Sequence, residues 1–277
     1  MPVEPVKLFD AHNHFHDERL GDAKAELMAC CVRDGLTAMV VNGSCEADWP
    51  DVLRLAKEFP QIIPSFGYHP WYVHERAPDW QKTLQRFLEQ TPSAIGEIGL
   101  DRWKEGLDYG PQEEVFRWQM QLAAERDLPV SIHCLQAWGR LFDLLRSGPR
   151  PARGFLLHSY GGPQEMLEPL AKLGAYFSIP GLFAHERKAR HRETFRRVPA
   201  DRLLIETDAP DQLLPDNRNR NPLTDSKTGQ PVNHPANLRA IYDFVAELRN
   251  EPVENLARQV EENFNRLFGD LRSRVAG

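Results

Sequence analysis

Eight short apolar segments alternate with eight longer amphipathic segments along this chain, and the alternation limits the folds it can adopt. Such alternation is typical of parallel strands joined by helical crossovers. The predicted strands are residues 6–11, 36–42, 61–67, 94–98, 128–133, 154–158, 174–179 and 202–207. The predicted helices are residues 19–34, 47–58, 79–90, 111–127, 137–147, 164–173, 185–197 and 236–249, with an additional one at 252–267. This order favours an α/β fold, the (β/α)8 TIM barrel, over a doubly wound sheet.

Length and composition are consistent with one barrel domain. The chain has 277 residues, 41% of them hydrophobic, and single α/β barrels commonly have this length. The sequence has no internal repeat and no linker, so we expect a single domain over residues 1–277. Residues 210–233 are rich in Asn, Asp, Pro and Gly without periodicity, which predicts a long loop after the last strand.

The hydropathy pattern argues against export or membrane insertion. No basic segment leads into a long apolar one, and no stretch approaches the roughly 18 apolar residues of a membrane span. The cysteines show no paired metal-binding spacing and are too few to stabilise so large a domain as disulfides; they are Cys30, Cys31, Cys45 and Cys134. We therefore expect a cytoplasmic protein with no membrane association and no obligate protein partner.

The formal net charge of −6 restricts how the chain could bind nucleic acid. A negative overall field repels a polyanion, so contact must occur through a local basic patch or through metal. Arg218 and Arg220 form a small basic cluster in the predicted loop. Such charges usually form a solvated face, and contact with phosphates is the alternative.

Two histidines end the first predicted strand, in Asp10-Ala11-His12-Asn13-His14. Alternate strand residues point the same way, about 7 Å apart, so this pair forms either a metal clamp or two surface histidines. Other predicted strands end in further candidate ligands, namely Glu97, His133, His158 and Asp208. Because the active site of a (β/α)8 barrel lies at the carboxyl ends of its strands, we expect these side chains to meet in one site.

Four imidazoles and two carboxylates form a ligand set for divalent ions such as zinc, manganese, magnesium, nickel or cobalt. Six ligands are generous for one ion, so we expect two ions about 3.5–4 Å apart. A metal pair activates water and stabilises an oxyanion, which suits hydrolysis of a phosphodiester, or less specifically of an ester or amide. Glu97 and Asp208 could instead be helix caps, but an unpaired carboxylate beside Ile95 and Ile98 is costly to bury.

Seven motifs, in order along nearly the whole chain, resemble those of the TatD-type metal-dependent hydrolases, or TatD DNases, within the amidohydrolase-like barrels. Any one motif would be weak evidence, whereas seven in the family's order form a specific signal. They are Asp10-Ala11-His12-Asn13-His14, Gly67-Tyr68-His69-Pro70, Gly96-Glu97-Ile98-Gly99-Leu100-Asp101, Pro129-Val130-Ser131-Ile132-His133, His158-Ser159-Tyr160-Gly161-Gly162, Glu206-Thr207-Asp208-Ala209-Pro210 and Asn263-Phe264-Asn265-Arg266-Leu267-Phe268.

The resemblance implies roles for individual residues. It implies that one ion is held by His12, His14, Glu97 and Asp208, and the second by Glu97, His133 and His158, with Glu97 bridging. His69 matches the family's histidine near the substrate phosphate. The expected function is a deoxyribonuclease that cleaves DNA with metal-activated water, in which Asp208 accepts the water proton and His69 stabilises the oxyanion.

Two other functions remain open for the same residues. A hydrolase of a small ester, lactone or amide would use the same barrel and ligands, and a non-catalytic binding barrel could keep its metals for stability.

The segment before Asn233-His234-Pro235-Ala236 is longer than usual in the family, which leaves substrate size open. Ser159-Tyr160 replaces a frequent Cys-Phe pair and should alter only the pocket shape. We expect Asp101 to fix a loop, and we expect solvated side chains for His16, His74, His185 and His191.

Overall fold

The computed structural model describes residues 6–273 and confirms the predicted barrel. Eight parallel strands form one sheet in sequence order, each hydrogen-bonded to the next. They are β1 (Leu8–Asn13), β2 (Leu36–Asn42), β3 (Ile62–Phe66), β4 (Ala94–Asp101), β5 (Val130–Leu135), β6 (Phe155–Leu157), β7 (Ala175–Ile179) and β8 (Leu203–Ile205). The helices are α1 (Lys24–Arg33), α2 (Trp49–Glu58), α3 (Trp80–Gln90), α4 (Tyr109–Arg126), α5 (Trp138–Ser147), α6 (Leu167–Lys172), α7 (Ala189–Arg196), α8 (Leu238–Arg249) and α9 (Val253–Ser273). Within residues 6–273, no helix combines the length and apolar character needed to cross a bilayer.

Hydrogen bonds between β1 and the segment after β8 close the barrel. The backbone N–H of Asp208 donates to the carbonyl of His12 at 3.0 Å. The buried carboxylate of Asp10 accepts from the backbone N–H of Thr207 at 2.9 Å and from its hydroxyl at 2.5 Å. The first and last strands are therefore joined at their carboxyl ends, where the barrel fold places an active site.

The core fills the barrel and the layer between strands and helices. β4 is buried along its whole length, as expected for a parallel strand covered on both faces. The ring of Phe264 in α9 packs on Phe9 of β1 with 4.9 Å between centroids. Asn263 donates from its side-chain amide to the carbonyls of Ala200 and Leu203, each at 2.7 Å. These contacts fix the C-terminal helix across the first and last strands.

Several predicted element boundaries are wrong. The helix predicted from residue 19 begins only at Lys24, because Asp17 caps a separate 3-10 turn that ends at Gly21 with a φ of 72°. The helices predicted at 164–173 and 185–197 also begin with 3-10 turns and are shorter than expected. Strand β4 continues beyond residue 98 to Asp101, whereas β6 and β8 end before the residues predicted to be ligands.

The segment 210–233 is not wholly irregular. It contains an antiparallel pair of short strands, β9 (Pro222–Thr224) and β10 (Pro231–Asn233). In the turn between them, the carboxylate of Asp225 accepts from the backbone N–H of Lys227 at 2.9 Å and from the Thr228 hydroxyl at 2.5 Å. Asx geometry of this kind stabilises turns locally, which a search for periodicity does not detect.

Candidate metal centre

A cleft of about 320 Å³ opens at the carboxyl ends of the barrel strands. His12 lies within β1 and is fully buried, and Glu97 and His133 come from β4 and β5 and line the cleft. The remaining predicted ligands directly follow a strand or lie in the loop after it, and all three line the cleft: His14, His158 and Asp208. The structure therefore brings together every side chain that the sequence predicted as a ligand.

Glu97 lies between two groups of imidazoles. Its Oε2 atom is 3.5 Å from Nε2 of His12 and 3.3 Å from Nε2 of His14. Its Oε1 atom is 3.1 Å from Nδ1 of His133 and 2.8 Å from Nε2 of His158. The two carboxylate oxygens thus face different histidine pairs, as a bridging carboxylate requires.

Asp208 completes the half of the centre that contains His12 and His14. Its Oδ1 atom is 3.7 Å from Nε2 of His12 and 3.6 Å from Nε2 of His14. Burial raises the pKa of Asp208 to about 7, although the nearby rings of His158 and His14 oppose the shift. The chain turns sharply here, since Asp208 has a φ of 51°.

Hydrogen bonds orient two of the histidine rings. Nδ1 of His14 lies 2.8 Å from the carbonyl oxygen of Asn42, and Nε2 of His133 lies 3.0 Å from Oδ2 of Asp101. Carbonyl and carboxylate oxygens only accept, so the ring proton of each neutral histidine is held on the side away from Glu97. The lone pair on the other nitrogen then points into the cluster, as a metal ligand requires.

The other two predicted ligands also have polar partners behind them. Nδ1 of His12 is 2.6 Å from the hydroxyl of Ser131, and Nδ1 of His158 is 3.7 Å from Oε1 of Glu206. Glu206 also accepts from the backbone N–H of Ser159 at 2.7 Å. Neither Ser131 nor Glu206 was predicted to contact these rings, although both lie within the motifs that resemble the family's.

His69 carries its ring proton on the side that faces the cluster. Its Nδ1 atom accepts from the backbone N–H of Trp71 at 3.2 Å, which places the proton of the neutral ring on Nε2. That nitrogen lies 3.4 Å from Oε1 of Glu97. Burial lowers the pKa of His69 to about 4, so the ring is neutral near pH 7. His69 therefore presents a hydrogen-bond donor, unlike the rings that present lone pairs.

Burial opposes ionisation throughout the cluster, and charged partners outweigh it at some positions. Burial, together with His158, lowers the pKa of His12 well below its ordinary value. Burial would also lower the pKa of His14, but the Glu97 carboxylate overcomes it and raises that pKa to about 9. Although burial would raise the pKa of Glu97, the surrounding histidines hold it well below its ordinary value. Glu97 is therefore a charged carboxylate among imidazoles.

The donor set fits divalent metal ions. Nε2 of His12 is buried without a hydrogen-bond partner and faces the carboxylates of Glu97 and Asp208. Three overlapping groups of side chains have ligand atoms within 4.8 Å of one another: His12, His14 and Glu97; His12, His158 and Asp208; and His69, Glu97 and His133. Imidazole and carboxylate are ligands of borderline divalent cations, and an unpartnered buried nitrogen is costly unless a cation binds it.

Of two expectations about residues near the cleft, the one for His16 is wrong and the one for Asp101 agrees with the structure. His16 is not solvated: its side chain is only 9% exposed, and Nε2 lies 3.4 Å from the Asp48 carboxylate, because the loop after β1 folds over the cleft. Asp101 fixes its loop, as predicted, by accepting from the backbone N–H of Trp103, but it also contacts His133.

The remaining predictions outside the ligand set have mixed outcomes. His74 is exposed, as expected, whereas His185 and His191 are partly buried. Arg218 and Arg220 form ion pairs with acidic residues of α8, at 2.6 Å and 2.9 Å, and neither lines the cleft. The basic cluster in this conformation therefore faces the helix instead of the candidate site.

An eight-stranded barrel whose strand ends present buried histidines and carboxylates defines the class of metal-dependent hydrolase barrels. Residues 9–269 match the family model described as TatD related DNase. The chain belongs to this TatD family, which confirms the resemblance drawn from the motifs.

Named relatives and a solved structure match along nearly the whole chain. A protein of Pantoea sp. (strain At-9b), named 3'-5' ssDNA/RNA exonuclease TatD, is 33% identical over 264 residues, covering 94% of this chain and 99% of the relative. A protein of the same name from Erwinia tasmaniensis is 35% identical and covers 84% of this chain and 89% of the relative. The crystal structure of YjjV, a TatD homologue from Escherichia coli K12, matches with a TM-score of 0.86 and 26% identity, covering 95% of this chain and 98% of that one.

Proposed function

We propose that this protein is a nuclease that removes nucleotides from single-stranded DNA or RNA by hydrolysing phosphodiester bonds. The observation that carries the proposal is Glu97, whose two oxygens face separate histidine pairs in a cleft at the barrel's carboxyl end. The names of the Pantoea and Erwinia relatives support single-stranded nucleic acid as the substrate. We further infer that residues 1–277 form one catalytic domain that acts in the cytoplasm.

The proposed ligands divide between two divalent ions that share Glu97. One ion would be held by His12, His14, Glu97 and Asp208, and the other by Glu97, His133 and His158. Such ions, when bound, lower the pKa of water and neutralise phosphate charge. Zinc, manganese, magnesium, nickel and cobalt are the candidates, since imidazole favours the transition metals while carboxylate accepts all of them.

The chain's own residues supply proton transfer and charge stabilisation. Asp208 lines the cleft with a carboxylate, which can accept a proton from the attacking water. His69 donates from Nε2 toward the cluster, where it can stabilise negative charge that develops on a phosphoryl oxygen. Asp101 holds the ring of His133 from behind, and the Glu206 carboxylate lies 3.7 Å behind the ring of His158.

The activity is tested on a single-stranded oligonucleotide labelled at its 5' end, after reconstitution with each candidate metal. A ladder of labelled products that shorten from the 3' end is expected, and a Glu97→Gln variant should yield none. A panel of small esters, lactones and amides is assayed in parallel. Hydrolysis of one of these without shortening of the oligonucleotide would replace the nuclease by a small-molecule hydrolase.

The number of metals is tested by elemental analysis of the reconstituted protein. About two divalent ions per chain are expected, because the predicted set has more ligands than a four-coordinate ion uses. Saturation by a single ion, with both His133 and His158 dispensable for binding it, would contradict the two-ion proposal. Metal loading without turnover of any substrate would instead indicate a non-catalytic barrel.

A further inference from the structure

A tryptophan stands exposed at the mouth of the cleft. Trp103 is 59% exposed, and the other exposed large hydrophobic side chains among residues 6–271 are Val32 and Leu135. Trp103 and Leu135 line the cleft, whereas Val32 belongs to α1 and does not. An exposed indole leaves a large apolar ring in water, so its placement beside a candidate active site indicates a role in binding.

One carboxylate holds Trp103 in place. Oδ1 of Asp101 accepts from the backbone N–H of Trp103 at 2.7 Å and from that of Lys104 at 3.0 Å. Oδ2 of the same residue accepts from the indole N–H of Trp71 at 2.7 Å and lies 3.0 Å from Nε2 of His133. The segment that carries Trp103 is thus tied directly to the histidine cluster.

A cation, Lys104, directly follows Trp103 in the chain. The ammonium of Lys104 is 4.3 Å from the centroid of the Trp71 ring, and the indole of Trp103 is exposed at the same cleft. A flat base and an adjacent phosphate are the groups that would engage an open aromatic ring and a nearby cation together. A small aliphatic ester offers neither group.

We propose that Trp103 is the surface on which a nucleobase next to the scissile phosphodiester stacks, which makes a base at that position a requirement for tight substrate binding. The inference rests on the proposed nuclease function and specifies which part of the substrate is recognised. Stacking between a base and an aromatic side chain contributes binding that tolerates any base sequence. Trp103 therefore favours substrates that carry a base at this position, whichever base it is.

The test compares Trp103→Ala, Trp103→Phe and the control Val32→Ala on two single-stranded oligonucleotides. One is intact, and the other carries abasic residues at its two 3'-terminal positions, which flank the first bond to be cleaved. Trp103→Ala should raise KM on the intact strand by roughly 5- to 150-fold with little change in kcat. Trp103→Phe should restore most of the binding, and Val32→Ala should match the parent.

The abasic strand separates stacking from other effects. The parent should bind it as weakly as Trp103→Ala binds the intact strand. On the abasic strand, Trp103→Ala should therefore have the same affinity as the parent. Thermal unfolding should be the same for all variants, since the Trp103 side chain is exposed. Two results would refute stacking while the nuclease function stands, provided that the parent cleaves the intact strand. Trp103→Ala would have an unchanged KM on that strand, or it would lose the same factor in affinity on both strands. If the parent neither binds nor cleaves either strand, both proposals fail.

Discussion

The carboxylate of Asp101 lies 3.0 Å from Nε2 of His133, whose Nδ1 atom is 3.1 Å from Glu97. Burial would raise the pKa of Asp101, but the contact with His133 and the hydrogen bond from Lys104 hold it below its ordinary value. A charged partner at one ring nitrogen makes the other a better metal ligand. The ring of His133 is therefore both oriented and made more basic by a residue that is not itself a ligand.

Replacing Asp101 by Asn should weaken metal binding by about 10- to 100-fold, the usual effect of losing such a partner. Competition with a fluorescent chelator measures the affinity. Asp143→Asn, an exposed aspartate of α5, is the matched control and should bind metal like the parent. An unchanged affinity in Asp101→Asn would show that His133 needs no charged partner or is not a ligand.

Glu97→Gln should abolish turnover and reduce the bound metal from about two ions to one or fewer. The amide keeps the shape of the side chain but removes the negative charge that the surrounding imidazoles face. The fold should survive, because the apolar core lies elsewhere in the barrel. Elemental analysis and circular dichroism on the same sample check both expectations, and full metal content with a normal rate would refute the bridging role.

Asp208→Asn should lower kcat by roughly 10²- to 10⁴-fold, because an amide cannot accept the proton of the attacking water. Its carbonyl oxygen can still contact an ion, so metal content and KM should change little. Metal content is measured on the assayed sample, since lost metal would also lower the rate. A parent-like rate with normal metal content would show that another group accepts the proton of the water, and His69 would be the next residue to test.

Gly99→Ala should destabilise the fold by about 2–4 kcal/mol. Gly99 has a φ of 153°, and a Cβ atom there would lie 1.9 Å from the carbonyl oxygen of His133. Gly139→Ala in α5 is the control, because a Cβ there meets nothing within 4 Å. That variant should be neutral or gain at most about 1 kcal/mol. Urea denaturation measures both, and equal stabilities would show that β4 and β5 can separate without cost.

The stability of the parent should rise relative to Lys24→Met as the pH increases from about 8 to 10.5. Burial lowers the pKa of Lys24 from 10.5 to about 8, although Asp17 opposes the shift. Within this window the unfolded chain holds a proton that the folded chain has released, so raising the pH favours folding. Urea unfolding at several pH values measures the difference, and a constant or falling difference would contradict the shift.

The sequence predicted the barrel and the six candidate ligands that meet at one end of it, because both depend on strand ends. Hydrophobic periodicity locates each strand. In a (β/α)8 barrel the carboxyl ends of all strands lie at one end, so the residues that end the strands lie close together. His158 and Asp208 lie beyond β6 and β8, yet they reach the cleft since the chain leaves each strand at the same end of the barrel.

Features that depend on tertiary contacts were not predictable from periodicity. The partners behind the histidine rings, such as Ser131 and Glu206, meet them only after the strands have assembled. The sequence predicts a solvated His16 because this residue lies past the motif that ends at His14, but the loop turns it toward Asp48. The sequence predicts that Asp101 fixes its loop, but whether Trp103 is exposed at the cleft depends on where that loop lies on the assembled barrel.

The bond between Asp10 and Thr207 joins positions 197 residues apart in the chain. During synthesis on the ribosome, His12 and His14 emerge early, whereas Thr207 and Asp208 follow only after all eight barrel strands. Closing so long a loop costs entropy that is recovered only when the strands pair. A nascent chain therefore cannot assemble the complete centre before Asp208 has been synthesised, and hydrolysis cannot begin earlier.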